Sequence, residues 1–299
     1  MGVPESEKRI LSFITKKRLW GISISWLLLV IIGGVGIFVF GDYLTLVTER
    51  AKVSVEDETT SEPDSNCNVL QVDIAGYITS DGINGSSDWF GSDGDTVYSD
   101  DIKYQIDYAK RNEDTKAVLL TINSFGGNAG SAQEITYALE NLDKPVVAVI
   151  RTAGNSAAYW IASVADKIFA YETADVGSIG VTQSYLDETA TNIKDGLEFI
   201  SLSSGKFKDM GNPDKSMTAE EKALAMRDIN DVYNIFVKQV VEGRDMSTEK
   251  VRELADGSSM IAGRAKQLGL IDEIGSTYDA IDYLSEIIGE KAEVCELEE

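Results

Sequence analysis

No histidine occurs anywhere in this chain of 299 residues. That absence removes the Ser-His-Asp and Cys-His mechanisms outright, and most zinc chemistry with them. Cysteine is nearly absent as well. Cys67 and Cys295 are too few for a disulfide scaffold and lack the spacing of a zinc site. A single bond between them stays open if this part of the chain lies outside the cytoplasm. Basic residues are scarce once the N-terminus is passed. Residues 1–20 hold Lys8, Arg9, Lys16, Lys17 and Arg18 against Glu5 and Glu7, and the remainder carries 22 basic and 48 acidic residues, a net charge of −26. Such a body repels phosphates, which excludes nucleic acid as a partner and reads as a solvated, soluble surface. There is no internal repeat.

What is present begins with residues 19–40, LWGISISWLLLVIIGGVGIFVF, a run of 22 uncharged residues. At about 1.5 Å per residue it is long enough for a ~30 Å hydrocarbon core. Lys16, Lys17 and Arg18 precede it, Asp42 follows, and Trp20 and Trp26 stand near its N-terminal end. The run is too long for the apolar part of a signal peptide, and no A-x-A-like cleavage site follows Phe40. The expectation is a cytoplasmic tail over 1–18, one transmembrane anchor over 19–40, and everything beyond it outside the cytoplasm. Residues 41–66 end in VEDETTSEPDSN and read as an acidic linker.

From Cys67 strands and helices alternate. NVLQVDIAGYI, AVLLTIN, PVVAVI and KIFAYE read as strands. Between them SDDIKYQIDYAKRN carries Ile102, Ile106 and Ala109 on one helical face, and SAQEITYALENL is a second helix. AYWIASVA is a short helix and VGSIGV a turn and strand. SYLDETATNIKD reads as a helix ended by Gly196, and LEFISL as a strand. A long helix over 218–243 opens with Thr218 and Glu221 at capping-box spacing, and shorter helices fill the C-terminal part. The pattern predicts an α/β domain over 67–290 with a largely parallel sheet, then an acidic tail over 291–299. The hydrophobic fraction of 43% suffices for its core.

Two strand-to-helix turns could carry chemistry. NSFGGNAGS lacks the following Lys-Ser or Lys-Thr of a phosphate-binding loop, but its backbone N–H groups could line an oxyanion hole. One unit later, RTAGNSAAYWIAS places Ser156 at a helix start, where a serine most often serves as an N-cap. Ala157 and Ala158 leave it uncrowded, and the N–H of Ala157 would point toward the glycine loop. Without histidine its base would be a carboxylate or a lysine, and a lysine serves only when neutral, in a poorly solvated site. SSGKFKDMGNP offers Lys206 and Lys208, which composition alone leaves as surface charges.

Five stretches in chain order, NSFGGNAGSA, NSAAYWIASVADKI, DVGSIGV, SSGKFKDMGNP and GRAKQLGLIDEIG, resemble the signal peptide peptidase A family of serine proteases in its short, single-unit, membrane-anchored form. The resemblance runs from about residue 69 to 290. It implies a crotonase/Clp-protease-like α/β superfold and a Ser–Lys dyad, with Ser156 as nucleophile and Lys208 as general base. Ser178 would hold the lysine amine, and the N–H groups of Gly127 and Ala157 would form the oxyanion hole. This chain departs from the family pattern at Phe125, where the family usually has Pro, and at Ala157, where it has Gly. The function so implied is a membrane-bound endopeptidase acting outside the cytoplasm on membrane-derived peptides such as cleaved signal peptides, with no metal or organic cofactor. Since two-unit relatives take Ser and Lys from different halves, a single-unit chain implies a ring-shaped homo-oligomer. A crotonase-like acyl-CoA enzyme and a non-catalytic membrane scaffold on the same fold are the alternatives.

Overall fold

The computed structural model describes residues 67–80 and 96–297. The anchor, the linker and their boundaries lie outside the described residues. Among the described residues no helix is long and apolar enough to cross a membrane.

A parallel sheet forms the centre. Its strands are β1 (Val69–Thr79), β2 (Thr96–Tyr98), β3 (Ala117–Gly127), β4 (Val146–Asn155), β5 (Lys167–Ala170) and β8 (Glu273–Ile274), in the spatial order β2-β1-β3-β4-β5-β8. Helices α1 (Ser99–Arg111), α2 (Ala129–Glu140) and α3 (Ala157–Ala162) carry the chain from one strand to the next. AVLL in β3 is apolar throughout because both its faces are covered. Successive side chains point to opposite faces, so one strand feeds two cores. Leu70, Val72, Ile74, Val118, Leu120 and Ile122 join the larger core under α1–α3. Val69, Leu119, Val147 and Val149 join the smaller one, which Ala280 and Leu284 of α8 (Thr277–Ile288) close.

Strand β4 changes partners part-way along. It pairs with β5 through Ile150, then with β6 (Asp175–Gly177) from Ala153 onward. Strand β7 (Ser259–Ile261) pairs antiparallel with β6. The far end of β4 is thereby led away from β5 and out toward the strand ends, where α/β sheets commonly bind ligands. The long helix α5 (Ala219–Gly243) packs on α3. Its predicted capping box is formed by Thr218 and Glu221. Trp160 of α3 stacks on Phe236 of α5, with ring centroids 4.7 Å apart and planes 9° from parallel. Tyr159 is fully buried, donates to the Leu270 carbonyl at 2.8 Å, and has its phenol pushed well up by burial. Helices α6 (Thr248–Leu254) and α7 (Ala262–Leu268) complete the C-terminal part. Strand β9 (Val294–Cys295) pairs with the start of β1, and a Cys67–Cys295 disulfide joins the two.

Two expectations need correction. SYLDETATNIKD is not helical throughout: α4 covers only Thr189–Lys194. The Glu188 N–H donates to the Pro213 carbonyl, the Tyr185 hydroxyl accepts from the Met217 N–H and Asp187 accepts from Ser216, so the first turn's groups are spent on the 213–217 loop. LEFISL is not a strand. Leu197, Ile200 and Leu202 are exposed, with Leu202 at 96%, and no described strand lies beside them. Pattern alone cannot make a strand that lacks a ladder partner.

Candidate active site

Ser156 stands where β4 turns into α3. Its φ of 53° and ψ of −123° lie in a region that costs a non-glycine residue about 1–3 kcal/mol. Only three described non-glycine residues have positive φ, and Ser178 is another of them. The Ser156 side chain caps nothing, which removes the commonest role for a serine at a helix start. Its N–H donates to the Gly177 carbonyl at 2.8 Å and its carbonyl accepts from the Trp160 N–H, so the backbone is held on both sides.

The glycine loop reaches the serine from β3. A Cβ on Gly126 would lie 2.8 Å from Ser156 Cβ and 2.9 Å from the Asn155 carbonyl oxygen, so only glycine fits there, and its φ of 114° also requires it. Gly127 packs against β1, where a Cβ would stand 2.1 Å from the Ile78 carbonyl oxygen. The Gly126 N–H donates to Ser124 Oγ at 3.0 Å, and the Asn128 N–H donates to the Ile78 carbonyl at 2.7 Å. Ala157 is the first residue of α3, where helical N–H groups have no intrahelical acceptor.

These residues line one cleft of about 1290 Å³. Ser156, Ala157, Gly126, Gly127 and Ser178 are all on its wall. Trp160, Met226, Ile229, Tyr233 and Phe236 supply an apolar side, and Phe125, 65% exposed, stands at its edge. Ser178 is zipped to a neighbouring loop. Its N–H donates to the Ser258 carbonyl at 2.9 Å and its Oγ to the Gly257 carbonyl at 3.1 Å. With its one proton so used, the hydroxyl has only acceptor lone pairs left to offer.

Lys208 is not brought to this cleft. It is exposed on the arm of residues 181–217 and is absent from the cleft wall. Lys206 pairs with Glu220 on the surface. The loop bearing Lys208 is nevertheless fixed. Asp209 accepts from Ser201 and pairs with Lys215 at 3.2 Å, and Lys215 pairs with buried Glu221 at 2.6 Å. The Lys215 ammonium holds the Glu221 carboxyl below its ordinary range, and Glu221 in return raises the lysine. Among the described residues no group of three or more acidic or cysteine side chains could hold a metal ion. Three residues at the site were not singled out from sequence: Gly126, Asn155 and Asp175. All three lie within the motif stretches, but only packing separates Gly126 from Gly127 and only strand pairing joins Asn155 to Asp175.

A parallel sheet crowned by a glycine loop and a strained strand-to-helix serine defines an α/β protein of Clp-protease-like architecture. The profile of Peptidase family S49 matches residues 138–290. A putative protease of Methanocaldococcus jannaschii is 35% identical over 192 residues, 62% of each chain. A putative signal peptide peptidase SppA of Enterococcus faecium is 32% identical over 233 residues, 77% of this chain and 66% of that one. Protease 4 of Haemophilus influenzae is 29% identical over 268 residues, 87% of this chain and 40% of that one. The chain belongs to peptidase family S49. It spans about two thirds of the length of the first two of these relatives.

Proposed function

We propose that this protein is a membrane-anchored serine endopeptidase that cleaves membrane-derived peptides, cleaved signal peptides among them, with a Ser156–Lys208 dyad shared between subunits of a ring. The observation that carries the reading is the pairing of a strained, uncapped Ser156 in a cleft with a lysine that its own chain leaves outside that cleft. From residue 182 to 206 the arm is exposed except at Thr189 and Asn192, and it displays Leu186, Ile193, Leu197, Ile200 and Leu202 to solvent. Exposed apolar side chains in such number favour a covering partner. A second copy, docked in a closing head-to-tail ring, would cover the arm and take the Lys208 amine out of water beside the neighbour's serine.

In that arrangement Ser156 Oγ attacks the scissile carbonyl carbon and passes its proton to a neutral Lys208 Nζ. The N–H groups of Gly127 and Ala157 receive the developing oxyanion. The ammonium then protonates the leaving amine, and water, deprotonated by the same lysine, releases the acyl group. Ser178, acceptor-only, would take an N–H of the lysine and leave its lone pair turned toward Ser156. The apolar wall of Trp160, Met226 and Phe236 suits apolar segments. The Cys67–Cys295 disulfide supports an oxidising compartment, and with the apolar run 19–40 it supports a protease domain outside the cytoplasm.

Subunit complementation tests the reading. Full-length Ser156→Ala and Lys208→Ala proteins should each fail to hydrolyse a quenched apolar peptide. In an equal mixture of exchanging subunits, about a quarter of head-to-tail interfaces carry both intact residues, so about a quarter of the activity should return. Persistent inactivity in mixed oligomers would place the dyad elsewhere, and activity in Ser156→Ala alone would end the assignment.

A further inference from the structure

We infer that Asp175 and Asn155 form a clamp that positions the nucleophile, an inference that rests on Ser156 being that nucleophile. Strands β4 and β6 run in register with Ala153 beside Asp175 and Asn155 beside Gly177. Across this pair the Asn155 Nδ2 donates to Asp175 Oδ2 at 2.8 Å. The same oxygen accepts from Ser259 Oγ of β7, also at 2.8 Å. One carboxylate oxygen therefore ties three strands together one residue before Ser156.

Both strained serines lie just beyond the clamp. Ser156 follows Asn155 directly, at φ 53°, and Ser178 follows Asp175 by three residues, at φ 50°. A backbone held in a sparsely populated region persists only when its surroundings over-determine it. The Ser156 N–H bond to the Gly177 carbonyl holds the serine itself, and the Asn155 side chain holds the residue before it.

The chemistry of the pair argues against simple stabilisation. Asn155 is only 5% exposed, and its Oδ1 is buried with no hydrogen-bond partner among the described residues. Turning the amide over would satisfy nothing, since it would set Oδ1 against the carboxylate. Asp175 makes no ion pair among the described residues, although it is partly buried on the cleft wall. A buried amide whose oxygen has no partner costs more than apolar packing would. The return is orientation. Held this way, β4 cannot relax the Ser156 backbone, and Oγ and the Ala157 N–H stay aimed into one cleft. Neither residue needs to touch substrate, so both are positioning residues.

The test uses full-length protein, a fluorophosphonate probe that esterifies the active serine, and peptide hydrolysis. Asp175→Ala should lower kcat and the labelling rate constant together by about ten- to a hundredfold, the cost of a small misplacement of a reacting group, with KM nearly unchanged. The fraction of enzyme that labels at long times should stay complete. Asp175→Asn, whose Oδ1 can accept from Asn155 Nδ2, should recover most of the rate. Asn155→Ala should match Asp175→Ala, and the double variant should be no worse than either single one. Should Asp175→Ala not fold, Asn155→Ala removes the other end of the bond and carries the same expectation. An unchanged labelling rate constant would overturn the inference. So would a loss confined to the labelled fraction and the melting temperature, or an Asp175→Asn no better than Asp175→Ala. If Ser156→Ala itself retains hydrolysis, the nucleophile assignment falls. If Ser156→Ala is inactive while the clamp variants are unimpaired, only the clamp falls.

Discussion

Breaking the Cys67–Cys295 disulfide should destabilise the domain chiefly through its unfolded state. The bond closes a loop of 228 residues in sequence, with the two Cα atoms 5.8 Å apart. Chain-entropy reasoning assigns a loop of that size about 5 kcal/mol, and native disulfides deliver about 2–5 kcal/mol. For a chain of this size each kcal/mol moves the melting temperature by about 2–4 °C, so the expected fall is roughly 4–20 °C. The native state has other fastenings at the same place. The Asn68 and Val69 N–H groups donate to the Glu293 carbonyl at 3.1 and 3.2 Å, and the Glu293 N–H returns a bond to Asn68 Oδ1 at 2.8 Å. Strand β9 should therefore stay docked after the bond is cut. Urea and thermal melts of Cys67→Ser, Cys295→Ser and the double variant would measure this. All three should fall by the same amount, because each deletes the same loop closure, and the urea slope should rise as the unfolded chain expands. Falls below about 2 °C in all three, or single effects that add in the double variant, would refute the entropic account.

Two further outcomes follow from the site. Glu221 and Asp209 are held below their ordinary carboxyl values of 4.5 and 3.8, chiefly by the hydrogen bonds from Lys215 and Ser201 respectively. Their contribution is complete above those values and is lost as pH falls through the lowered native ones, while that of Lys215, raised above 10.5, is lost only as pH rises past its native value. Amide exchange over residues 201–217 should therefore quicken below about pH 4 before the sheet opens, and Glu221→Gln should loosen the same segment at neutral pH. Equal protection of loop and sheet in that variant would contradict the anchoring role. Gly126→Ala should cost about a hundredfold in kcat, since its Cβ would press on Ser156 Cβ at 2.8 Å, whereas Gly263→Ala, with nothing within 4 Å, should leave activity intact. An active Gly126→Ala enzyme would mean that the loop can move off the serine.

The sequence alone determined the alternation of strands and helices, since burial on one helical face or two sheet faces leaves a local pattern. Ile102, Ile106 and Ala109 were legible on α1, as were the apolar run of β3 and the capping box at Thr218. Absence of histidine narrowed the chemistry, and the order of five short stretches pointed to Ser156, Ser178 and the glycine loop. The tertiary structure decided whatever depends on a partner distant in sequence. Residues 197–202 have the composition of a strand but no strand among the described residues to pair with. Cys67 meets Cys295 only because β9 returns to β1. Gly126 is distinguished from Gly127 by which backbone each one touches. Asn155 and Asp175 are ordinary polar residues in the sequence, and their pairing exists because β4 leaves β5 for β6 just before the serine. Local pattern records which face of an element is buried; it does not record what the element is buried against.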